Sequence, residues 1–297
     1  MDWTAALGEV DTIAGSVTEP AAWTASPALH GLRGIVHLAA LVRHTRRAAD
    51  EVYRTNVHGT ENMLRLAAAH RCRLVFVSTS GTVGCFRRPG GVADERAPYC
   101  EAEVSRWPYY ASKIEAEKRA RRLAGELGVE LVIVRPPILF GPGDHPFRTT
   151  APLIRYLSGK LPFLIRGGMH FADVRDAARA IARTLELREP QPIYHLPGTV
   201  MSITEFFALV ERVSGTRAPR MILPYPIAWG LATAFERLGV LPNPVMIEMA
   251  SRYWGVTSLY AEAELGYRVR DGAETLADTV EWLRAHHPAL ARGGRRT

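Results

Sequence analysis

Apolar and polar positions alternate along the chain in blocks that predict a sheet covered by helices. Four apolar runs have the length of buried strands, at residues 34–40, 74–77, 131–135 and 193–196. Residues 10–15 are predicted to form a further strand before them. Longer stretches typical of helices lie at residues 48–69, 107–127 and 173–187. Near-continuous apolar strands that alternate with helices predict an α/β fold with a doubly wound parallel sheet.

Beyond residue 141 the alternation becomes irregular, which predicts a second structural unit. Residues 1–140 and 173–197 are assigned to the sheet domain, and residues 141–172 and 198–297 to a smaller C-terminal substrate lobe. The lobe is expected to lie over the carboxyl edge of the sheet, because open α/β sheets bind their ligands there.

A tyrosine and a lysine stand one turn apart on a predicted helix. Tyr109 and Lys113 are four residues apart, so both side chains lie on one helix face. An ammonium beside a phenol stabilises the phenolate and is expected to lower the pKa of the phenol. Ser80, at the end of the preceding predicted strand, could bind the same substrate oxygen, and Ser78 or Thr79 could share that role. The set predicts proton transfer between a carbonyl and an alcohol.

Two further motifs surround this pair. Ala116 and Glu117 complete a Tyr-x-x-Ser-Lys-x-x-Ala-Glu run, and the nine residues from Arg135 read Arg-Pro-Pro-Ile-Leu-Phe-Gly-Pro-Gly. Together with Ser80, they resemble the extended short-chain dehydrogenase/reductase superfamily. Within it the chain is most similar to the branch of 3β-hydroxysteroid dehydrogenases, dihydroflavonol reductases and hopanoid-associated epimerase-like proteins. The resemblance extends from about residue 10 to about residue 283, and implies a Rossmann-like fold with NAD or NADP as cofactor.

The resemblance also implies roles for individual residues. Tyr109 would be the general acid and base, Lys113 would lower its pKa and hold the nicotinamide ribose, and Ser80 would orient the substrate oxygen. Asn56 is similar to a helix asparagine near the family's active site, with a polar contact inside the helix as a second interpretation. Other cofactor-binding candidates are Ser16, Val17, Ala39, Ala40, Pro136 and Ile138, and the substrate-facing candidates are Thr82, Phe140, Arg148 and His170.

A glycine-rich turn that would hold the cofactor pyrophosphate is not found in this sequence. By the resemblance, residue 1 lies near the family's third strand, so the sheet is expected to be N-terminally incomplete, through a late start or a rebuilt sheet. Ser16 also stands where the family usually has an aspartate that binds adenine. This 297-residue chain is therefore expected to bind NAD(H) or NADP(H) with a dissociation constant of about 1 mM or higher.

Composition narrows the partners that we expect. The net charge of +7 comes almost wholly from arginine, since only three of the 37 basic residues are lysines, and the scattered arginines do not indicate a nucleic-acid site. The three cysteines lack metal-ligand spacing and suit a reduced cytoplasm. No metal site is predicted. Residues 227–235, the longest apolar stretch, are too short to span a bilayer and predict a core or pocket-lining helix rather than stable membrane insertion. A homodimer is left open.

The function predicted from these features is an NAD(P)-dependent oxidoreductase that interconverts a ketone and a secondary alcohol. Apolar residues at 222–229 and 245–246 favour a ring-containing apolar substrate. A nucleotide-sugar epimerase or dehydratase is the first alternative, which would need a diphosphate site for which Arg148 and Arg166 are the candidates. The second alternative is a non-redox descendant of a reductase, either cofactor-free or a scaffold.

Overall fold

The computed structural model describes residues 10–46, 49–239 and 241–291. The strands are β1 (Gly34–His37), β2 (Arg73–Val77), β3 (Cys85–Phe86), β4 (Leu131–Arg135), β5 (Ile138–Phe140), β6 (Leu164–Ile165), β7 (Gly168–Asp173), β8 (Ile193–His195), β9 (Thr199–Ser202), β10 (Ile222–Leu223) and β11 (Tyr253–Trp254). The helices are α1 (Ala49–Tyr53), α2 (Gly59–His70), α3 (Glu101–Val104), α4 (Pro108–Leu127), α5 (Ala151–Leu157), α6 (Val174–Glu186), α7 (Ile203–Ser214), α8 (Tyr225–Ala234), α9 (Pro244–Ala250), α10 (Ala261–Leu265), α11 (Gly272–His286) and α12 (Pro288–Ala291). A π-helical turn, Arg54–His58, joins α1 to α2.

The central sheet has the strand order β1-β2-β4-β8, and all neighbouring pairs are parallel. Val75 pairs with Val36 on one side and with Val132 on the other. All four strands were predicted from apolar runs, and each run overlaps the strand that the structure contains. Parallel strands place their carboxyl ends at one edge, and the loops at that edge carry the candidate site.

Alternate residues of β2 point to opposite faces, as the pleat of a strand requires. Leu74 and Phe76 pack with α2 and α4 on one face, and Val75 packs with α6 and α10 on the other. Helices therefore cover both faces of the sheet. This confirms the predicted α/β fold of the Rossmann-like kind, and explains why its strands are apolar without interruption.

Helix α4 begins where proline is best tolerated. Pro108 occupies the first helical turn, where its missing N–H costs no helical hydrogen bond, and Gly128 ends the helix with φ 67°. Tyr109 therefore lies in the first turn of α4 and Lys113 in the second, on a helix whose position along the chain was predicted closely.

A second hydrophobic core lies in the lobe. Phe140, Phe171 and Phe206 pack against one another, with ring centroids 5.5 to 5.7 Å apart; Phe140 and Phe206 are stacked, and Phe171 meets both edge-on. Side chains from α5, α7, α8 and α11 pack around them. The three-stranded sheet β5-β7-β9 crosses this core, with β5 parallel and β9 antiparallel to β7. Leu265 of α10 packs against the central sheet instead, and the predicted domain limits stay a prediction.

The strand predicted at residues 10–15 is wrong. These residues are exposed and form no strand; Val10 is 47% and Ile13 37% exposed. A strand persists only where a neighbour supplies ladder hydrogen bonds, and among the described residues β1 pairs on one side only, with β2. The helical stretch predicted at 48–69 is confirmed from Ala49 onward, whereas Ala48 lies outside the described residues.

Candidate active site

The carboxyl end of β2 leads into a tight turn beneath α4. Ser80–Thr82 forms one turn of 3-10 helix, and the Ser80 N–H donates to the Pro136 carbonyl at 2.8 Å. Gly81 has no room for a side chain, because an added Cβ would lie 2.1 Å from Cε1 of the Tyr110 ring. The turn is thus fixed between α4 and the segment after β4, and Ser80 is buried within it.

Tyr109 and Lys113 lie on the part of α4 that faces this turn and the end of β2. The Lys113 ammonium donates to the Val77 carbonyl at 2.8 Å and lies 4.3 Å from the centre of the Phe76 ring. The Tyr109 ring meets His44 edge-on, with 6.0 Å between centroids. A phenol and an amine are therefore fixed, one turn apart, at the carboxyl edge of the sheet.

The pKa of Tyr109 differs from the value expected beside a charged lysine. Burial raises the pKa of Tyr109 to about 12, and burial lowers the pKa of Lys113 to about 7, against the opposing effect of Glu117. The predicted lowering of the tyrosine pKa by Lys113 is therefore wrong for this structure. The reason is that burial disfavours the charged phenolate, and the same burial disfavours the Lys113 charge that was expected to offset it.

Asn56 connects two parts of the site. Its Oδ1 accepts a hydrogen bond from the Leu41 N–H at 2.7 Å, and its Nδ2 donates to the Ser112 hydroxyl at 2.9 Å. The Ser112 hydroxyl in turn donates to the Tyr109 carbonyl at 2.7 Å. Asn56 thus ties the loop after β1 to the helix residues that flank Lys113, which makes it a positioning residue. It lies in the π-helical turn, a feature common at functional sites.

A buried ion pair below the site was not foreseen from the sequence. Glu117 accepts hydrogen bonds from Ser78 at 2.5 Å and from the Arg135 guanidinium, and Arg135 donates to His195 Nε2 at 3.1 Å. Glu117 is fully buried and Arg135 2% exposed. Burial alone would raise the pKa of Glu117, but the charge and hydrogen bonds of Arg135 hold that pKa below its usual value. The network joins α4, β4 and β8, on the same helix that carries Tyr109 and Lys113. Both charged residues lie inside the motifs quoted above. The signal available in the sequence was that Arg135 ends a strand predicted to be buried, where a charge needs a partner.

Glu248 of α9 is a second buried carboxylate that sequence reasoning missed. It accepts hydrogen bonds from Arg46 at 2.7 Å, from Trp107 Nε1 at 3.0 Å and from Trp229 Nε1 at 3.1 Å. Trp107 directly precedes α4, and Trp229 belongs to α8. The contact therefore connects the lobe to the helix start that carries Tyr109. No spacing in the sequence could have revealed it, because the partners are 19 to 202 residues apart.

The predicted cofactor residues divide into two groups. Ala39 is exposed and Ala40 half-buried just after β1, and Ile138 is 38% exposed after β4. These positions leave the carboxyl edge of the sheet accessible beside Lys113, whereas Pro136 is buried. Ser16 and Val17 lie in the segment before β1, where the Ser16 hydroxyl contacts the Thr18 hydroxyl at 2.8 Å and Val17 packs against the α2 side of the core.

The predicted substrate residues are not brought together. The Thr82 hydroxyl is buried and donates to the Thr79 carbonyl and to Glu117. Phe140 lies in the core of the lobe, and His170 is buried with neither ring nitrogen hydrogen-bonded to a described residue. Arg148 is exposed. These four side chains do not form a single substrate site, because Thr82, Phe140 and His170 are buried in the interior and only Arg148 is exposed.

A cavity of about 620 Å³ lies under the loop that follows the Ser80–Thr82 turn. Its wall shares Cys85 and Tyr99 with the aromatic cluster that contains Tyr109. Phe86, Val92 and Ala97 supply further apolar lining. The cavity is open to the surface, and Arg87, Arg88 and Glu103 also line it. Its size and its apolar residues make it one candidate for substrate binding in the described part of the chain.

Comparison with known proteins shows which family the chain belongs to. Residues 3–196 match the model of the NAD dependent epimerase/dehydratase family. The chain belongs to this family. It is 29% identical over 270 residues to a putative dihydroflavonol 4-reductase of Synechocystis, covering 87% of this chain and 78% of that protein.

Solved structures of the same fold include NAD-bound enzymes. The crystal structure of gox2253 is 26% identical, covers 92% of this chain and 84% of its own, and superposes with a TM-score of 0.76. DesIV, a dTDP-glucose 4,6-dehydratase from Streptomyces venezuelae with NAD and TYD bound, is 25% identical with a TM-score of 0.71, covering 93% and 81%. This family member is thus an enzyme of the extended short-chain dehydrogenase/reductase kind, which supports a nicotinamide cofactor.

The described residues contain no group of three or more histidine, cysteine or acidic side chains that could hold a metal ion. They also include no helix that is both long and apolar enough to cross a bilayer.

Proposed function

We propose that this protein is an NAD(P)-dependent reductase that interconverts a ketone and a secondary alcohol on an apolar, ring-containing substrate. The observation that carries the proposal is the placement of Tyr109 and Lys113 one turn apart at the carboxyl end of β2. Lys113 is held there by the Val77 carbonyl and Tyr109 borders the aromatic cluster. Such an edge is where an α/β sheet binds its ligands.

In the proposed reaction Tyr109 donates its hydroxyl proton to the carbonyl oxygen of the substrate, and takes it back in the reverse direction. Ser80 binds the same oxygen from the turn beneath α4. Lys113 lies within the same helix face and, when protonated, favours the phenolate that proton donation leaves behind. The nicotinamide, when bound, supplies or accepts the hydride.

The residues present fit the nicotinamide half of such a cofactor. Ala39 has a small exposed side chain after β1 and Ile138 is exposed after β4. The buried Lys113 of α4 is bonded to the end of β2, which lies between β1 and β4 in the sheet. A dinucleotide would lie across these strand ends, with Lys113 at the ribose and Ile138 at the nicotinamide amide. Ser16 and Val17 would take the adenine end.

The apolar substrate class rests on two observations. The cavity next to the aromatic cluster is lined by Phe86, Val92, Ala97 and Tyr99, which favours ring systems over sugars. The Synechocystis relative is named for a dihydroflavonol, a ring-containing ketone. The likeness to DesIV favours the alternative, a nucleotide-sugar dehydratase or epimerase that would use the same tyrosine. In the structure Arg148 and Arg166 are both exposed.

The two candidates are distinguished by ligand stabilisation followed by turnover. The purified protein would be screened with NADH or NADPH, first with aromatic and alicyclic ketones and then with dTDP- and UDP-sugars. We expect ketones to raise the melting temperature and to oxidise the reduced cofactor, because only ligands that prefer the folded state stabilise it. Stabilisation by a nucleotide sugar, without turnover of any ketone, would replace the reductase by the alternative.

A further inference from the structure

Helix α8 packs on the lobe with its small residues and turns its large apolar residues outward. Ala228 and Ala232, one turn apart, are completely buried against the lobe core. Ile227 is 53% exposed, Leu231 37% and Phe235 42%. A helix that only served the core would show the opposite arrangement, with its large apolar side chains inside. The apolar stretch predicted to be a core or pocket-lining helix is therefore mostly a surface feature.

The exposed apolar face extends beyond the helix on both sides. Met221 and Ile222 precede it, Tyr225 begins it and Leu238 follows it, with exposures from 39% to 68%. Seven large apolar side chains are thus exposed between residues 221 and 238. Single exposed apolar residues are ordinary, but a cluster of this kind on one element marks a surface that contacts another apolar phase or protein. We call it the α8 face: Met221, Ile222, Tyr225, Ile227, Leu231, Phe235 and Leu238.

The surface around the α8 face is basic. Residues 155–166 adjoin it, because β6 pairs with β10 and the Arg155 guanidinium donates to the Gly239 carbonyl at 3.4 Å. The two adjoining segments, 155–166 and 211–239, contain seven basic side chains and two acidic ones; the basic residues are Arg155, Lys160, Arg166, Arg212, Arg217, Arg220 and Arg237, and the acidic residues are Glu211 and Glu236. Arg220 is 82% exposed.

We propose that the α8 face docks the protein on an anionic lipid bilayer, with α8 lying in the plane of the interface. A surface with exposed apolar side chains next to basic ones binds such bilayers through apolar burial and attraction to anionic headgroups. The charge argues against a second copy of this chain as the occupant. A two-fold symmetric contact would place the same basic residues opposite each other, where like charges repel.

The docked helix is connected to the site. Trp229 of α8 donates to Glu248, which also accepts from Trp107 just before Tyr109. A bilayer under α8 would therefore contact an element that is linked by two hydrogen bonds to the start of the catalytic helix. The docking itself does not rest on the reductase assignment.

Vesicle co-sedimentation tests the proposal on the full chain. The vesicles would be phosphatidylcholine alone or phosphatidylcholine with phosphatidylglycerol. We expect partition into the anionic vesicles that weakens as salt rises, and we expect Ile227→Ser/Leu231→Ser/Phe235→Ser to lower it by at least about tenfold. The matched control is Leu127→Ser/Leu259→Ser/Val269→Ser, three apolar residues of similar exposure (39–46%) outside the α8 face, which should bind like the unchanged protein.

A second set of variants separates lipid from protein as the occupant. Arg217→Gln/Arg220→Gln/Arg237→Gln should remove most of the preference for anionic over neutral vesicles while leaving the circular dichroism spectrum unchanged. The proposal is overturned if the unchanged protein does not partition into either vesicle, or if both serine triples lose binding equally. It is also overturned if sedimentation velocity without lipid shows a dimer that the α8 triple variant alone converts to a monomer, since the face would then bind a second copy.

Discussion

The two ends of the candidate cofactor site are held to very different degrees. At the reactive end Lys113 is 2% exposed and bonded to a strand carbonyl, and Asn56 is 1% exposed and bonded to two elements. At the adenine end Ser16 is exposed, and its hydroxyl contacts only Thr18 among the described residues. The reactive end is fixed by packing on the sheet, whereas the adenine end is held by a local turn.

This difference separates what the two ends can contribute. A side chain fixed by burial and hydrogen bonds is pre-organised for the reaction, so a change there should affect rate or folding strongly. An exposed hydroxyl on a turn contributes one weak contact, so a change there should affect cofactor affinity slightly. Four measurements test this difference between the two ends.

The largest effect is expected for Tyr109→Phe. It removes only the proton-donating hydroxyl and should lower kcat by about two to four orders of magnitude with the fold intact. Tyr110→Phe is the matched control: its ring stacks on Trp254 and covers Gly81, and phenylalanine keeps both contacts. Steady-state kinetics with NADPH or NADH measures both. A Tyr109→Phe enzyme with more than a tenth of the original kcat would remove Tyr109 from the proposed role.

Arg135→Met should have the next largest effect, on stability. It leaves Glu117 buried without its partner, which costs about 3–5 kcal/mol in the free energy of unfolding. Urea denaturation measures the loss. Glu117→Gln in the Arg135→Met background should recover part of it, because the uncompensated charge is gone. If Arg135→Met alone lost less than about 1 kcal/mol, the reactive end would not depend on this ion pair.

Acid should lower the free energy of unfolding by a smaller amount, through His37 at the end of β1 and His170 in β7. Burial, aided by the Lys113 charge, lowers the pKa of His37 to about 3, and burial lowers the pKa of His170 to about 4, from 6.5. The unfolded chain therefore binds more protons in this range, so stability is complete above pH 6.5 and falls as the pH drops towards 4. The loss should be on the order of a few kcal/mol.

Urea melts at a series of pH values would show the acid effect. His37→Gln keeps a side chain able to bond Thr60 but has no charge to gain, so its curve should be flatter between pH 6.5 and 4. Identical slopes for the variant and the unchanged protein would mean that His37 is charged in the folded state.

The smallest effect is expected at the adenine end. Ser16→Asp introduces a carboxylate that can accept a hydrogen bond from the adenine amino group, and should tighten cofactor binding by roughly three- to tenfold because the position is exposed. Isothermal titration calorimetry with NADH and NADPH measures it. Thr24→Asp, an exposed residue in the same segment, controls for added charge. Equal changes in the two variants would show that Ser16 does not contact adenine.

Sequence patterns predicted those parts of the molecule that depend on local chemistry. The apolar runs of β2 and β4 are long enough to be buried strands, and the proline before Tyr109 fixed the start of α4. The strand expected at residues 10–15 failed because pairing is not a local property. The pattern of apolar residues there suits a strand, but within the described ranges no neighbouring strand supplies its hydrogen bonds.

The remaining errors concern long-range packing and burial. The direction of the Tyr109 pKa depended on burial, which a four-residue spacing does not contain. Glu248 binds Arg46 across 202 positions of sequence, and no motif marks either residue. The apolar run in α8 was correctly predicted to be a helix, but the face that packs on the core is the one with Ala228 and Ala232. Small residues let the helix approach the lobe most closely, and the sequence pattern alone does not show that this face is the buried one.

The π-helical turn at Arg54–His58 sets the rotational phase of the helix on either side of it. Val52 before the turn and Leu64 after it are both completely buried, although a continuous α-helix advances 100° per residue and would carry them to a different relative angle. Rewinding the turn into regular α-helix with all its residues kept would rotate everything beyond it by about 100°. Either Val52 or Leu64 would then leave the core, and Asn56 would lose Leu41 or Ser112. The extra residue accommodated by the π-turn thus keeps Val52 and Leu64 in the core while Asn56 contacts the candidate site.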